Sequence, residues 1–179
     1  MTTWVALLRG INLGSHNKVA MAELRELADE LGLADPETYL RSGNLVIDSE
    51  LSESALVHTL TDGIEERFGL QVPVICRSSE QLGRIASGHP FSSLGLDDRF
   101  LHVAFLDREP EDTVDKMIDE ADYHPDRLEA DRREIYLAYP DGSGRSKLNQ
   151  GLLESRLGVS VTARNWRTVT KLADMVGER

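Results

Sequence analysis

Arg9-Gly10-Ile11-Asn12-Leu13-Gly14-Ser15-His16-Asn17-Lys18 is the stretch of this 179-residue chain whose residue types come nearest to a ligand-holding loop. Glycine accepts positive φ, which lets consecutive backbone N–H groups turn into one concavity that favours an anion. Arg9 and Lys18 put charge at the two ends, and a helix starting just beyond would add its N-terminal dipole. A phosphate or carboxylate is the natural guest of Gly10, Asn12 and Gly14 between these cations. The spacing is neither a Walker A loop nor Gly-x-Gly-x-x-Gly. The structural alternative is an ordered loop whose polar groups satisfy one another.

Three further segments carry similar groups. Arg41-Ser42-Gly43-Asn44 is good turn chemistry, and it offers hydrogen-bonding groups beside the first loop if their strands are neighbours. Pro140-Asp141-Gly142-Ser143-Gly144-Arg145-Ser146-Lys147 repeats the pattern of glycines and cations just before a helix, with Arg145 and Lys147 as its anion-facing groups. In Thr162-Ala163-Arg164-Asn165-Trp166-Arg167-Thr168, Asn165 is a good N-cap and Trp166 a core residue, which explains the segment without function. If that helix points its start at an anion, Arg164 and Asn165 are the groups that reach it.

Familiar catalytic constellations are missing. His16, His58, His89, His102 and His124 have no His-x-x-x-His or Glu-x-x-His spacing, so neither a metal centre nor a cofactor is expected. His102 alternates within a strand and reads as structural. Ser42 and Ser146 lack a Gly-x-Ser-x-Gly context. The lone Cys76 cannot form an internal disulfide and sits in an apolar run, as a core residue does.

Hydrophobic periodicity supplies the elements that must position these groups. Residues 3 to 9 read as a central strand, and Met21, Leu24, Leu27, Ala28 and Leu31 as a helix ended by Gly32. Thr38 to Arg41 and Leu45 to Asp48 form a hairpin around Ser42-Gly43-Asn44. Leu56, Leu60, Ile64 and Phe68 mark a helix before the strand Val72 to Arg77. The same βαββαβ order returns after a connecting helix at Ser79 to Ser87. Phe100 to Leu106 is a strand, Val114 to Ala121 a helix, and Leu128 to Ala130 with Ile135 to Tyr139 a hairpin. Leu148 to Leu157 is then a helix, Val159 to Ala163 a strand, and Val169 to Val176 a closing helix. The predicted class is α+β: two ferredoxin-like halves with antiparallel sheets and helices on one face. They span 1–78 and 99–179, joined by a connecting helix and loop at 79–98, and the second carries the C-terminal helix.

The formal net charge of −11 disfavours nucleic acid and an anionic membrane as partners through long-range repulsion. Arg145 to Lys171 nevertheless holds six cations against Glu154 alone, a local charge of +5 that leaves −16 for the remainder. The aromatic-rich sheet motif of an RNA-recognition module is missing. No apolar run reaches membrane-spanning length and the N-terminus does not resemble a signal peptide, so a cytoplasmic protein is expected.

Leu7-Leu8-Arg9-Gly10-Ile11-Asn12-Leu13-Gly14, Asn17-Lys18-Val19-Ala20-Met21, Thr38-Tyr39-Leu40-Arg41-Ser42-Gly43-Asn44 and Thr162-Ala163-Arg164-Asn165-Trp166-Arg167-Thr168 resemble the signature stretches of the bacterial domain of unknown function 1697 family. The resemblance implies a duplicated ferredoxin-like arrangement and no particular activity. Ser15 stands where a second glycine is common and Leu13 where valine is usual, which makes the loop less permissive. Two function classes follow. One is a module that binds a phosphate-bearing or other anionic ligand, such as a nucleotide or a nucleic-acid end, in a pocket formed by the signature loops. The other is an enzyme of phosphoryl or acyl transfer or hydrolysis, with His16 or Ser42 acting on a substrate fixed by Arg9, Lys18 and Arg164.

Overall fold

β1 (Thr2–Leu8) is apolar at successive positions, the pattern of a strand buried on both faces. In the computed structural model, which describes residues 1–179, it lies inside a four-stranded sheet. Its neighbours are β3 (Asn44–Ser49) and β4 (Val74–Ser78), both antiparallel to it. β2 (Ala34–Tyr39) closes the other edge against β3, giving the order β2-β3-β1-β4. Trp4, Ala6 and Leu8 point to one face and pack with Leu24, Leu27 and Ala28 of α1 (Met21–Glu30) and Leu56, Leu60 and Ile64 of α2 (Glu53–Phe68). Val5 and Leu7 point to the other face and are equally buried.

Local chemistry sets the ends of these elements. Ser52 caps α2 by accepting from the Ala55 N–H, and Gly69 ends it at φ 66°. α3 (Ser79–Ala86) opens on a reciprocal capping pair, in which the Gln81 N–H donates to Ser78 Oγ and the Ser78 N–H to Gln81 Oε1. β2 starts earlier than the apolar pattern suggests, because an edge strand tolerates Pro36 at an irregularity between Ala34 and Glu37.

The second half repeats the topology as β6-β7-β5-β8. Its strands are β5 (Leu101–Leu106), β6 (Arg127–Asp131), β7 (Glu134–Ala138) and β8 (Val161–Asn165). α5 (Gln150–Leu157) is capped by Asn149 and ended by Gly158 at φ 64°, and α6 (Trp166–Gly177) follows β8 directly. The fold is α+β, two four-stranded antiparallel sheets with helices, consistent with duplicated ferredoxin-like halves.

One element departs from expectation. The helix predicted from Val114 to Ala121 stops after a single turn, α4 (Val114–Met117), because Ile118 turns extended (φ −137°, ψ 112°). The Asp119 side chain then accepts from the Ala121 N–H, and the Glu120 carboxylate holds Arg127 Nε at 2.7 Å and the Leu128 N–H at 2.8 Å. These side-chain bonds compete with the α-helix, the Asp119 bond capping a 3-10 turn at Glu120–Tyr123 and the Glu120 bonds tying that turn to the start of β6.

Contacts divide the chain into two units, Met1–Arg84 with Leu172–Arg179, and Ile85–Lys171. The C-terminal Arg179 belongs to the first, where it pairs with Glu37 at 3.4 Å and Asp48 at 3.7 Å. No helix is long and apolar enough to cross a membrane.

Candidate functional site

In the first unit the Gly10–Lys18 loop closes on itself. Asn12, at φ 54°, donates from Nδ2 to the carbonyls of Val19 and Arg41 (2.8 Å each) and accepts from the Val19 N–H at 3.0 Å. Asn17 Nδ2 donates to the Gly10 carbonyl, and Lys18 Nζ to the Gly14 carbonyl at 2.6 Å. The backbone N–H of Arg9 donates to the Pro73 carbonyl. Gly43 brings the hairpin against this loop: its carbonyl accepts from the Leu8 N–H at 2.8 Å, and a Cβ on it would lie 2.6 Å from Ile11 Cδ1. Asn44 is fully buried and donates to the Tyr39 carbonyl and Ser42 Oγ. Gly10, Asn12, Gly14, Lys18, Ser42, Gly43 and Asn44 therefore gather at one end of the first sheet. Asn12 and Lys18 line a cavity of about 410 Å³ with Val19, Ala20, Met21, Glu23 and Arg41. The side chains of Asn17 and Lys18 are engaged by the loop's own backbone, and that of Asn12 by the backbone of Val19 and Arg41.

The second unit holds a larger cavity, of about 620 Å³, between the loop Asp141–Lys147 and the segment Asp122–Asp126. Arg145 and Lys147 both line it, each exposed and without an ion pair or side-chain hydrogen bond. Arg67, Arg127 and Arg167 are instead engaged, by Glu26 and Glu30, by Glu120 and by Asp97, while Arg132 and Arg156, outside this cavity, are exposed and unpaired as well. One bond ties the two walls together, Ser146 Oγ donating to Asp126 Oδ2 at 2.5 Å while accepting from the Leu148 N–H at 2.9 Å. A second cavity, about 340 Å³, adjoins along His124, Pro125 and Asp126, and Leu94, Ala121 and Pro140 give it an apolar wall.

Arg164 and Asn165 do not line this cavity. Arg164 is buried opposite Val103 of β5, where Nη1 donates to Thr162 Oγ1 and the Ala163 carbonyl, and burial lowers its pKa to about 10. Asn165 caps α6 by accepting from the Thr168 N–H at 2.9 Å. Of the lining residues, Asp122, Tyr123 and Asp126 escaped the sequence reading, which met His124 only in weighing metal spacing and Arg41 only as part of its hairpin. The one available signal was the density of Asp, His and Pro between Asp119 and Asp126, which marks irregular backbone.

Other titratable groups are built into cores. Burial pushes the Cys76 thiol up to about 12. His102 packs edge-on against Tyr139, its Nδ1 has no partner, and burial lowers its pKa to about 4. His89 is held neutral, Nε2 donating to the His102 carbonyl at 3.0 Å and Nδ1 accepting from the Phe91 N–H. No group of three or more His, Cys, Asp or Glu side chains comes together as a metal site.

A family model described as protein of unknown function (DUF1697) matches residues 1–136. Conserved bacterial protein SP0830 from Streptococcus pneumoniae has a solved structure similar to this chain. The likeness covers 99% of both chains at 26% sequence identity and a TM-score of 0.76. No curated protein matches.

Proposed function

The chain belongs to the DUF1697 family, and from that premise, which supplies a fold and no reaction, we propose that it is a cytoplasmic module binding a phosphate-bearing or other anionic ligand, such as a nucleotide or nucleic-acid end, in the second-unit cavity. One observation carries this reading: Arg145 and Lys147, adjacent in the cavity wall, have no partner in a chain where 31 carboxylates outnumber 20 lysines and arginines. Two free cations on a short glycine-containing loop are suited to share the oxygens of one phosphate. The first-unit loop supports it less well, since Lys18 is already spent on the Gly14 carbonyl. Of the hydroxyls in this cavity wall, that of Ser146 is engaged on both sides, donating to Asp126 and accepting from the Leu148 N–H.

Calorimetric titration with inorganic phosphate and nucleoside monophosphates tests the reading. Arg145→Ala and Lys147→Ala are each expected to weaken binding about tenfold or more, as loss of a charge-assisted hydrogen bond does. Arg156→Ala, an exposed cation on α5 outside the cavity lining, is the control and leaves it unchanged. Equal affinities in all four proteins would refute the assignment.

A further inference from the structure

Asp126 lies on the floor between the two cavities, lining both, and is 8% exposed. Its Oδ2 is taken by Ser146 Oγ, whereas Oδ1 has no hydrogen-bond partner in the protein and is not sealed from solvent. A nearly buried carboxylate with one open acceptor asks for a donor from whatever fills the space beside it. The opposite charges of this cavity are also kept apart. Arg145 and Lys147 form no ion pair with Asp122, Asp126 or Asp141, although all five line it. A bare anion would answer the cations and leave Asp126 facing like charge. A ligand that carries both an anion and hydroxyl donors answers both.

We propose that the cavity takes a phosphomonoester of a polyol or sugar, with its phosphate on Arg145 and Lys147 and a hydroxyl donated to Asp126 Oδ1. This rests on the anion-binding reading above and specifies what its ligand carries besides phosphate. Tyr123 and Pro125 give the carbon skeleton an apolar edge, and the adjoining Leu94–Pro140 wall receives whatever the sugar bears.

The test is calorimetric titration of the whole chain with inorganic phosphate, n-propyl phosphate, glycerol 3-phosphate and ribose 5-phosphate. Propyl phosphate has the three-carbon skeleton of glycerol 3-phosphate without its hydroxyls, so their ratio isolates the hydroxyl contact with no change to the protein. The two hydroxylated esters are expected to bind about tenfold or more tighter than propyl phosphate. In Asp126→Asn, which keeps an oxygen for Ser146, that ratio falls toward one. Removing the negative charge strengthens all four phosphates together, so the ratio is insensitive to the charge effect. Should Asp126→Asn lose its thermal transition, the wild-type ratio alone decides. A wild-type ratio near one, with phosphate binding still dependent on Arg145 and Lys147, overturns this inference and leaves the anion site standing. Failure of all four compounds to bind overturns both.

Discussion

Asn12 shows how much one side chain does at the end of the first sheet. Its amide group makes three hydrogen bonds, joining the loop, the start of α1 and the hairpin carbonyl of Arg41, and its positive φ suits asparagine better than most residues. Asn12→Ala is expected to cost about 2–3 kcal/mol in urea unfolding, because it strands the Val19 and Arg41 backbone groups. It should leave phosphate binding in the second unit intact. The candidate residues divide along the same line. Asn12 and Lys18 stood out in the sequence because polar side chains near glycines are what an anion loop needs, but the same groups are what such a loop needs to be held in place by hydrogen bonds to nearby backbone. Arg145 and Lys147 were legible as cations beside glycines. That they lack partners is a property of space. Asp126 was not legible at all, since its role depends on Ser146, twenty residues along the chain.

Among the elements, the β2–β3 hairpin and the truncated α4 matter most. The turn before β3 works because Gly43 has no Cβ: at φ 80° it lies where a side chain would strike Ile11 and Leu8. Gly43→Ala should therefore destabilise by about 3 kcal/mol, combining the backbone penalty with overpacking. Gly10→Ala, also at positive φ but facing open space, should cost about 1 kcal/mol. Comparing the two urea midpoints separates conformational strain from steric clash. The shortening of α4 shapes the larger cavity. Where the first half has the ten-residue α1, the second has one α-helical turn and then a 3-10 turn at Glu120–Tyr123, and that chain runs into the wall carrying Asp122 to Asp126. The apolar spacing of Val114, Met117, Ile118 and Ala121 reads as a helix, and the competition from Asp119 and Glu120 becomes visible once their backbone partners are known. The β4 and β8 strands show the converse. Arg77 and Arg164 pair opposite Val5 and Val103, and each Nη1 donates to the preceding carbonyl, a repeat hidden in the sequence by dissimilar neighbours.

The two units of the whole molecule are expected to differ in how they respond to acid. His89 and His102 are enclosed in the second unit, whereas His16 and His58 of the first are exposed. The folded pKa of His102, about 4, lies below its unfolded value of 6.5, and that of His89 is lowered in the same direction. The unfolded chain thus binds more protons between those values. The His102 contribution is complete above pH 6.5, falls as the pH drops toward 4, and levels off below, a loss of about 3 kcal/mol, and His89 adds to it in the same direction. Trp4 and Trp166 are the two tryptophans, one in each unit. In Trp4→Phe, Trp166 fluorescence should report a urea midpoint that falls between pH 6.5 and 4. In Trp166→Phe, Trp4 should show a smaller fall. His102→Gln should flatten the Trp166 profile, and a profile unchanged by that substitution would exclude His102 as its source.

The order of strands and helices, the burial of β1 on both faces, the caps at Ser52 and Asn165 and the α+β class were all set by local patterning, because apolar period and end chemistry act over a few residues. Which polar groups satisfy one another was decided by the tertiary structure. Lys18 meets the Gly14 carbonyl, Ser146 meets Asp126, and Arg145 and Lys147 meet no protein partner. Those outcomes depend on distances of a few ångströms between segments far apart in sequence, and the hydrogen bond and the ion pair are decided at that range.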